Sequence, residues 1–491
     1  MLQPLSPGKW NSVTAAHLLN RAAFGGTPAT VQKLVELGPD AAVSLFVDYE
    51  RYPDPTPAPD WARPDPDREK RLQAIRQGPD EQRRQLLREE QQLQRQRINE
   101  LRGWWLDRMA GGPRPFQEKM TLFWHGHFAT SAEKVRDAYY MWRQNELFRR
   151  LATGNWLQLL SEAARDPAML IWLDQAQSRK EHPNENFARE VMELFTLGEG
   201  HYTEKDVTEA ARALTGWSLD RRNQMFVERL KWHDYGLKTV LGRTGFLDGD
   251  AVLEQIVAQP QAAVFITAKI WNFFAGEMPS PALNQALADG FHQSGDNFKP
   301  LVRAMFLSEE FYSPTLVRGQ VKSPVQWLVG SVRMLETEMP PPRVSINLIR
   351  SLGQDLFAPP NVKGWDGGLA WIGTNTLLAR YNEAAVLIQG NPSSVADSVD
   401  AKNPNQARAI QYGRRRIRMG AVDVDRILPG PQRANEGSLI AALEQRLLQS
   451  KLNEKQESAL REYLEATENP SDQDIRGAIR LIMSTPEYQL A

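Results

Sequence analysis

Two stretches of the chain hold the residue types that do chemistry. In WHGHFATS, residues 124–131, His125 and His127 stand two apart. Histidine serves as a metal ligand or as an acid–base group near neutral pH. On a helix the two would point about 200° apart. They converge only where a helix begins, ends or kinks, and Gly126 permits that. The second stretch is HPNENFAREVMELFTLGEGHYTEKDVTEAARALTGW, residues 182–217. Here carboxylates, histidines and arginines are interleaved with Phe187, Val191, Met192, Leu194 and Phe195, which belong in a core. That mixture predicts a cleft-lining or buried site, with His125 or His127 within side-chain reach of the helix carrying Glu185 to Glu193.

Three readings of these residues follow. In the first the protein is a hydrolase. Glu185 and Glu190 act as acid and base, Arg189 tunes their pKa values, His125 or His127 shuttles a proton, and Asp174 faces the same cleft. Arg189, Trp124, Trp172 and Trp217 then bind substrate, and aromatic platforms beside paired acids suit a glycan. In the second, His125, His127, Glu190 and Glu193 hold a divalent metal through nitrogen and oxygen ligands. In the third the chain is a non-catalytic scaffold or the binding partner of a co-encoded hydrolase. Each feature also has a plain structural reading. Glu185, Arg189 and Glu193 at i, i+4, i+8 make an ordinary ion-pair ladder. Asn184 is a helix N-cap, Thr203 and Asp206 form a capping pattern, and tryptophans fill cores. Arg212 is placed to reach back to the Glu190 helix, and His233-Asp234 at a turn is a weaker candidate.

The elements that must position these groups read as helices. Apolar residues recur at helical spacing and strand signals are scarce, so the fold class is all-α, a multi-helical body with at most a short β-hairpin. That hairpin would pair residues 225–232 with 237–242 around HDYG. Residues 1–52 give N-terminal helices, and 53–67 a proline-rich connector. Residues 68–110 give a long charged helical hairpin broken at Gly78-Pro79. Residues 111–389 form a helical core with the candidate site, 390–436 an irregular connector, and 437–491 C-terminal helices. ITAKIWNFFAG to LVRAMFLSEEFY, ending at Tyr312, parallels IAALEQRLLQS to IRLIMSTPEYQ, ending at Gln489. This reads as an internal repeat of three helical segments with a Ser-plus-Glu-aromatic ending. The glycine-rich loop PPNVKGWDGGLAWIG does not follow a strand, which makes it a cleft rim rather than a phosphate cradle.

Composition narrows the classes. With 59 basic and 60 acidic residues and a formal net charge of −1, the chain has no cationic excess for a nucleic-acid partner. Cysteine is absent, which removes disulfides, thiolate ligands and a cysteine nucleophile. No apolar run is long enough to span a membrane, and the opening residues lack a signal-peptide pattern, so the expectation is cytoplasmic. Phosphate-binding, dinucleotide-binding, zinc-protease and serine-elbow motifs are also missing.

AAHLLNRAAFG, KMTLFWHGHFATS, RDPAMLIWLD, HPNENFAREVMELFTLGEGHYTE, EAARALTGW, VKSPVQW and LFAPPNVKGWDGG, taken together along nearly the whole chain, resemble the bacterial family catalogued as domain of unknown function 1800. The resemblance implies an all-helical protein. It also implies a partner, a co-encoded domain-of-unknown-function 1501 protein similar to sulfatases and phosphatases, and for many members export, which would make a periplasmic location the alternative here. It supplies no reaction.

Overall fold

Most helices begin where the sequence supplies a cap or a proline. The computed structural model describes residues 2–390, 420–466 and 470–491. The first helices are α1 Ser12–Ala22, α2 Pro28–Val47, α3 Arg68–Gln77 and α4 Asp80–Gly111. Asn11 and Thr14 form a reciprocal cap on α1, and Thr27 with Pro28 opens α2. The break between α3 and α4 falls at Gly78-Pro79, where the sequence predicts the hairpin to turn. No helix or strand occupies the proline-rich connector.

The central helices are α5 Pro115–His127, α6 Ala132–Val135, α7 Ala138–Arg150, α8 Trp156–Ala164, α9 Pro167–Trp172, α10 Glu185–Glu190 and α11 Glu204–Ala213. Between α10 and α11 the chain widens into a π-helical segment, Val191–Leu197. Then come α12 Gly249–Val257, α13 Pro260–Ala275, α14 Pro281–Gln293, α15 Phe298–Phe306, α16 Pro324–Met334, α17 Pro342–Ser351 and α18 Thr374–Gln389. The last four are α19 Val424–Ile427, α20 Glu436–Leu443, α21 Glu454–Glu465 and α22 Asp472–Met483. Most of the predicted irregular connector, residues 391–419, lies outside the described residues. Among the described residues no helix is long and apolar enough to cross a membrane.

The β structure differs from the expected hairpin. There are two separate antiparallel pairs, β1 Trp217–Asp220 with β2 Met225–Glu228 and β3 Lys238–Val240 with β4 Arg243–Gly245. Residues 225–228 therefore pair backward, not with 238–240. Local turn chemistry decides this. Asp220 accepts from the backbone N–H groups of Arg222 and Asn223 and closes the first turn. Leu241 and Gly242, at φ 47° and 80°, make the tight two-residue turn that matches strand twist.

Two buried clusters organise the body. One joins α1, α2 and α5 to the segments from α8 through α15. The other joins α4 and α7 to α16, α17, α18 and the C-terminal helices. Helix α5 feeds both, with Phe116, Met120 and Trp124 in the first and Leu122 in the second. It is anchored by Glu118, only 2% exposed. That carboxylate accepts from Trp105 Nε1 (2.8 Å), Arg108 Nε (3.1 Å) and Arg149 Nε (2.8 Å), so α4, α5 and α7 meet on one buried anion.

The two segments read as repeats fold alike in order. Helices α13, α14 and α15 end in the 3-10 turn Glu310–Tyr312; α20, α21 and α22 end in Glu487–Gln489. Each turn is followed or preceded by backbone pairing with a distant extended piece, Ser308 with Pro4 and Leu490 with Val321.

Candidate functional site

The histidines diverge, as two residues on one helix must. Helix α5 runs straight to His127, so Gly126 makes no kink. His125 is buried among the rings of Trp105, Phe148 and Phe357. Its Nε2 lies 3.0 Å from Asn145 Nδ2, which donates to a neutral ring. Burial, with Arg149 nearby, holds its pKa down to about 3. His125 is a core histidine. His127 faces the other way and does meet the segment after Glu190, through a carbonyl rather than a carboxylate. Its Nε2 donates to Phe195 O at 3.0 Å, which leaves Nδ1 as the acceptor.

The ladder predicted along Glu185, Arg189 and Glu193 does not form. Arg189 makes a bidentate pair with Glu204 at 2.7 and 2.6 Å. Glu185 accepts from Thr208 Oγ1 at 3.0 Å, and Glu193 from the Tyr202 hydroxyl. The π-helical widening begins at Val191, so the straight-helix spacing that would stack Glu193 under Arg189 is lost. Glu190 is half-buried. Burial and then Glu193 raise its pKa, against the opposing charges of Arg189 and Lys363. Arg212 does not reach the Glu190 helix. It is held by Asp234 (2.8 Å) and Glu209 (2.9 Å). His233 Nδ1 donates to Thr215 O.

The other predicted site residues each have contacts of their own. Trp124 is fully buried and donates to Ala152 O at 2.9 Å. Trp217 is 2% exposed beneath the Arg165 guanidinium. Trp172 is half-buried under Lys134, which also pairs with an exposed Asp174 at 2.7 Å. The proposed metal set of His125, His127, Glu190 and Glu193 is not brought together. Among the described residues no group of three or more His, Asp or Glu could hold a metal.

What the fold does assemble is a cleft of about 500 Å³ at the junction of the two clusters. One wall carries Lys119, Phe123 and His127 of α5, at i, i+4 and i+8, with Lys269 and Phe273 of α13. The other is the glycine-rich loop, presenting Lys363, Trp365, Asp366 and Trp371. The loop comes close because Gly364, at φ +86°, has no Cβ; one would sit 2.3 Å from Gly126 O. The close approach needs Gly364 and uses only the carbonyl of Gly126, where a Cβ would meet nothing within 4 Å.

At the floor, Lys269 Nζ donates to Leu194 O at 3.0 Å and lies 3.4 Å from His127 Nδ1. The two carbonyls that receive Lys269 and His127 belong to the C-terminal turn of the π-helical segment, where backbone acceptors have no helical partner. Burial pulls Lys269 down to about 8. Lys119 is 3% exposed, donates to Gln326 and lies 4.8 Å from the centroid of the Phe24 ring. Burial, then Arg21, pushes its pKa well below the usual lysine value. Neither lysine has a carboxylate partner among the described residues. The N-terminus of α16 also borders the cleft, but its amides are taken. Val325 N–H donates to Gln354 and Gln326 N–H to Ser323. The positive character of the cleft therefore comes from lysines.

Sequence reasoning passed over Lys119 and Lys269. Each is the lone cation in an apolar helical run, KMTLFW and ITAKIWNFF. A charge that local partners cannot satisfy is the signal that finds such residues.

The chain matches the family model described as "Protein of unknown function (DUF1800)" over residues 17–490. No curated protein and no solved structure matches it.

Proposed function

The chain belongs to the DUF1800 family of proteins of unknown function, and from the chemistry of its cleft we propose that it is a hydrolase taking an anionic substrate, an acidic glycan. The observation that carries this reading is a pair of lysines in one cleft, Lys119 buried and Lys269 half-buried, neither with a carboxylate partner among the described residues. An unpaired buried cation is costly, and an anionic ligand relieves that cost. Trp365, half-buried at the rim, offers a ring face for a sugar, and the buried Trp371 backs the same wall. Lys269, with its pKa near 8, is able to take and return a proton near neutral pH, with His127 Nδ1 holding the amine in place. Lys119 supplies positive charge where negative charge would develop. Glu190 stands outside the cleft lining but within the field of Lys363, and its raised pKa suits a proton donor at the rim.

The test is a panel of chromogenic glycosides and esters, with and without a carboxylate or sulfate group, against wild type and Lys269→Met. Turnover restricted to anionic substrates and lost in Lys269→Met is the expected result. No turnover on any of them, with no melting shift from glucuronate, would sink the reading.

A second reading, a non-catalytic partner of the co-encoded domain-of-unknown-function 1501 protein, is favoured by one observation. Leu369, Leu378 and Tyr381 are 80%, 61% and 41% exposed beside the glycine-rich loop, and such apolar exposure marks contact surfaces. Direct binding of the two purified proteins, abolished by Leu378→Asp, would support it.

A further inference from the structure

A second concavity lies between the α3–α4 hairpin and the body, with a volume of about 710 Å³. Seven arginines line it against three carboxylates. Two of those carboxylates are engaged, Glu90 by Arg71 at 3.0 Å and Asp355 by two arginines, while Glu133 makes no ion pair among the described residues and offsets one of the positive charges. Asp355 serves both Arg102 (2.8 Å) and Arg350 (2.9 Å). Arg68 is held by Asp137, and Arg76 by Glu69 at 3.5 Å. Three guanidinium groups remain without a carboxylate partner among the described residues. Arg95 and Arg136 each make one bond, from Nε to Gln91 O (3.2 Å) and to Glu133 O (3.0 Å). Arg221 in the β1–β2 turn makes no ion pair.

These three come from elements far apart in sequence, and one of them is held at a backbone cost. Arg136 adopts a left-handed conformation, φ 52° and ψ 35°, which a non-glycine residue visits at some expense. Apolar side chains, Leu72, Leu87, Ile98 and Val135, floor the same concavity. A low-dielectric floor under converging cations strengthens their field.

We propose that this groove is a second binding site, independent of the cleft, for a compact multivalent anion bearing two or more phosphate or sulfate groups. Arginine forks match such oxyanions bidentately, and three free forks call for more than one anionic group. A solvated face of the hairpin would scatter its unpaired arginines instead of converging them from α4, the end of α6 and a β-turn.

Isothermal titration calorimetry of the full chain with inorganic pyrophosphate tests this. The expected result is saturable binding that weakens with salt. Arg136→Ala and Arg221→Ala should each weaken it about tenfold with unchanged melting, while Arg136→Lys loses less. Lys269→Met should leave it unaltered, which separates this site from the cleft. Absence of saturation up to roughly 10 mM, wild-type affinity in both arginine variants, or loss only in Lys269→Met would each overturn the proposal.

Discussion

Arg189 and Lys269 exchange the roles that spacing alone would give them. Arg189 is a half-exposed cation with one exposed partner; the side chains of Arg189 and Glu204 retain 33% and 78% of their accessible surface. Arg189→Ala should therefore melt within experimental error of wild type, and a loss of several degrees would mean that the pair is buried in solution. Lys269 is half-buried, with its amine held against protein at the cleft floor. Its folded pKa of about 8 lies below the unfolded lysine value, so between those values the unfolded chain holds a proton that the folded chain has released. Stability must then rise with pH across that interval, by on the order of 3 kcal/mol in total. Lys269→Met has no proton to lose. The melting difference between wild type and Lys269→Met should shift in favour of wild type from pH 8 to pH 10. A pH-independent difference would mean that Lys269 is a solvated ammonium.

At the scale of elements, α5 carries a buried carboxylate shared by two arginines and one wall of the cleft. Glu118 neutralises Arg108 and Arg149 in the interior and receives the Trp105 indole N–H. Glu118→Ala strands the buried Trp105 indole N–H and leaves two arginines that are 7% and 4% exposed with one carboxylate each, Asp54 for Arg108 and Glu146 for Arg149. The expected cost is about 3–5 kcal/mol, read from denaturant unfolding. A cost below about 1 kcal/mol would show that water reaches these groups. The π-helical segment matters for the same wall. Its wider turn ends with Leu194 and Phe195 presenting carbonyls to Lys269 and His127, so the cleft floor and a helix terminus are one structure.

At the scale of the whole molecule, two similarly ordered helical units close on distant chain segments, and the cleft sits where their clusters meet. The second closure is the 3-10 turn of Tyr488. Its carbonyl accepts from Lys322 at 2.7 Å, and its hydroxyl bonds Ser331 Oγ at 2.7 Å. Ser331 also donates to Trp327 O, so removing the Tyr488 hydroxyl leaves no stranded donor. Tyr488→Phe should cost only roughly 0.5–1.5 kcal/mol in a thermal melt. A larger loss would mean that this hydroxyl holds the two units together. The sequence alone determined what depends on near neighbours: helical periodicity, the break at Gly78-Pro79, and the caps at Asn184, Thr203 and Thr27. These are legible because a cap or an apolar stripe is decided within about one or two turns of chain. Which charges meet was decided only by tertiary structure. Arg189 found Glu204 across a π-helical widening, β2 turned back to β1, and Lys119 and Lys269, 150 residues apart in numbering, came to share a cleft with a loop beyond residue 360. Long-range pairings depend on how whole helices pack, and side-chain spacing along one helix carries no record of what the facing helix presents.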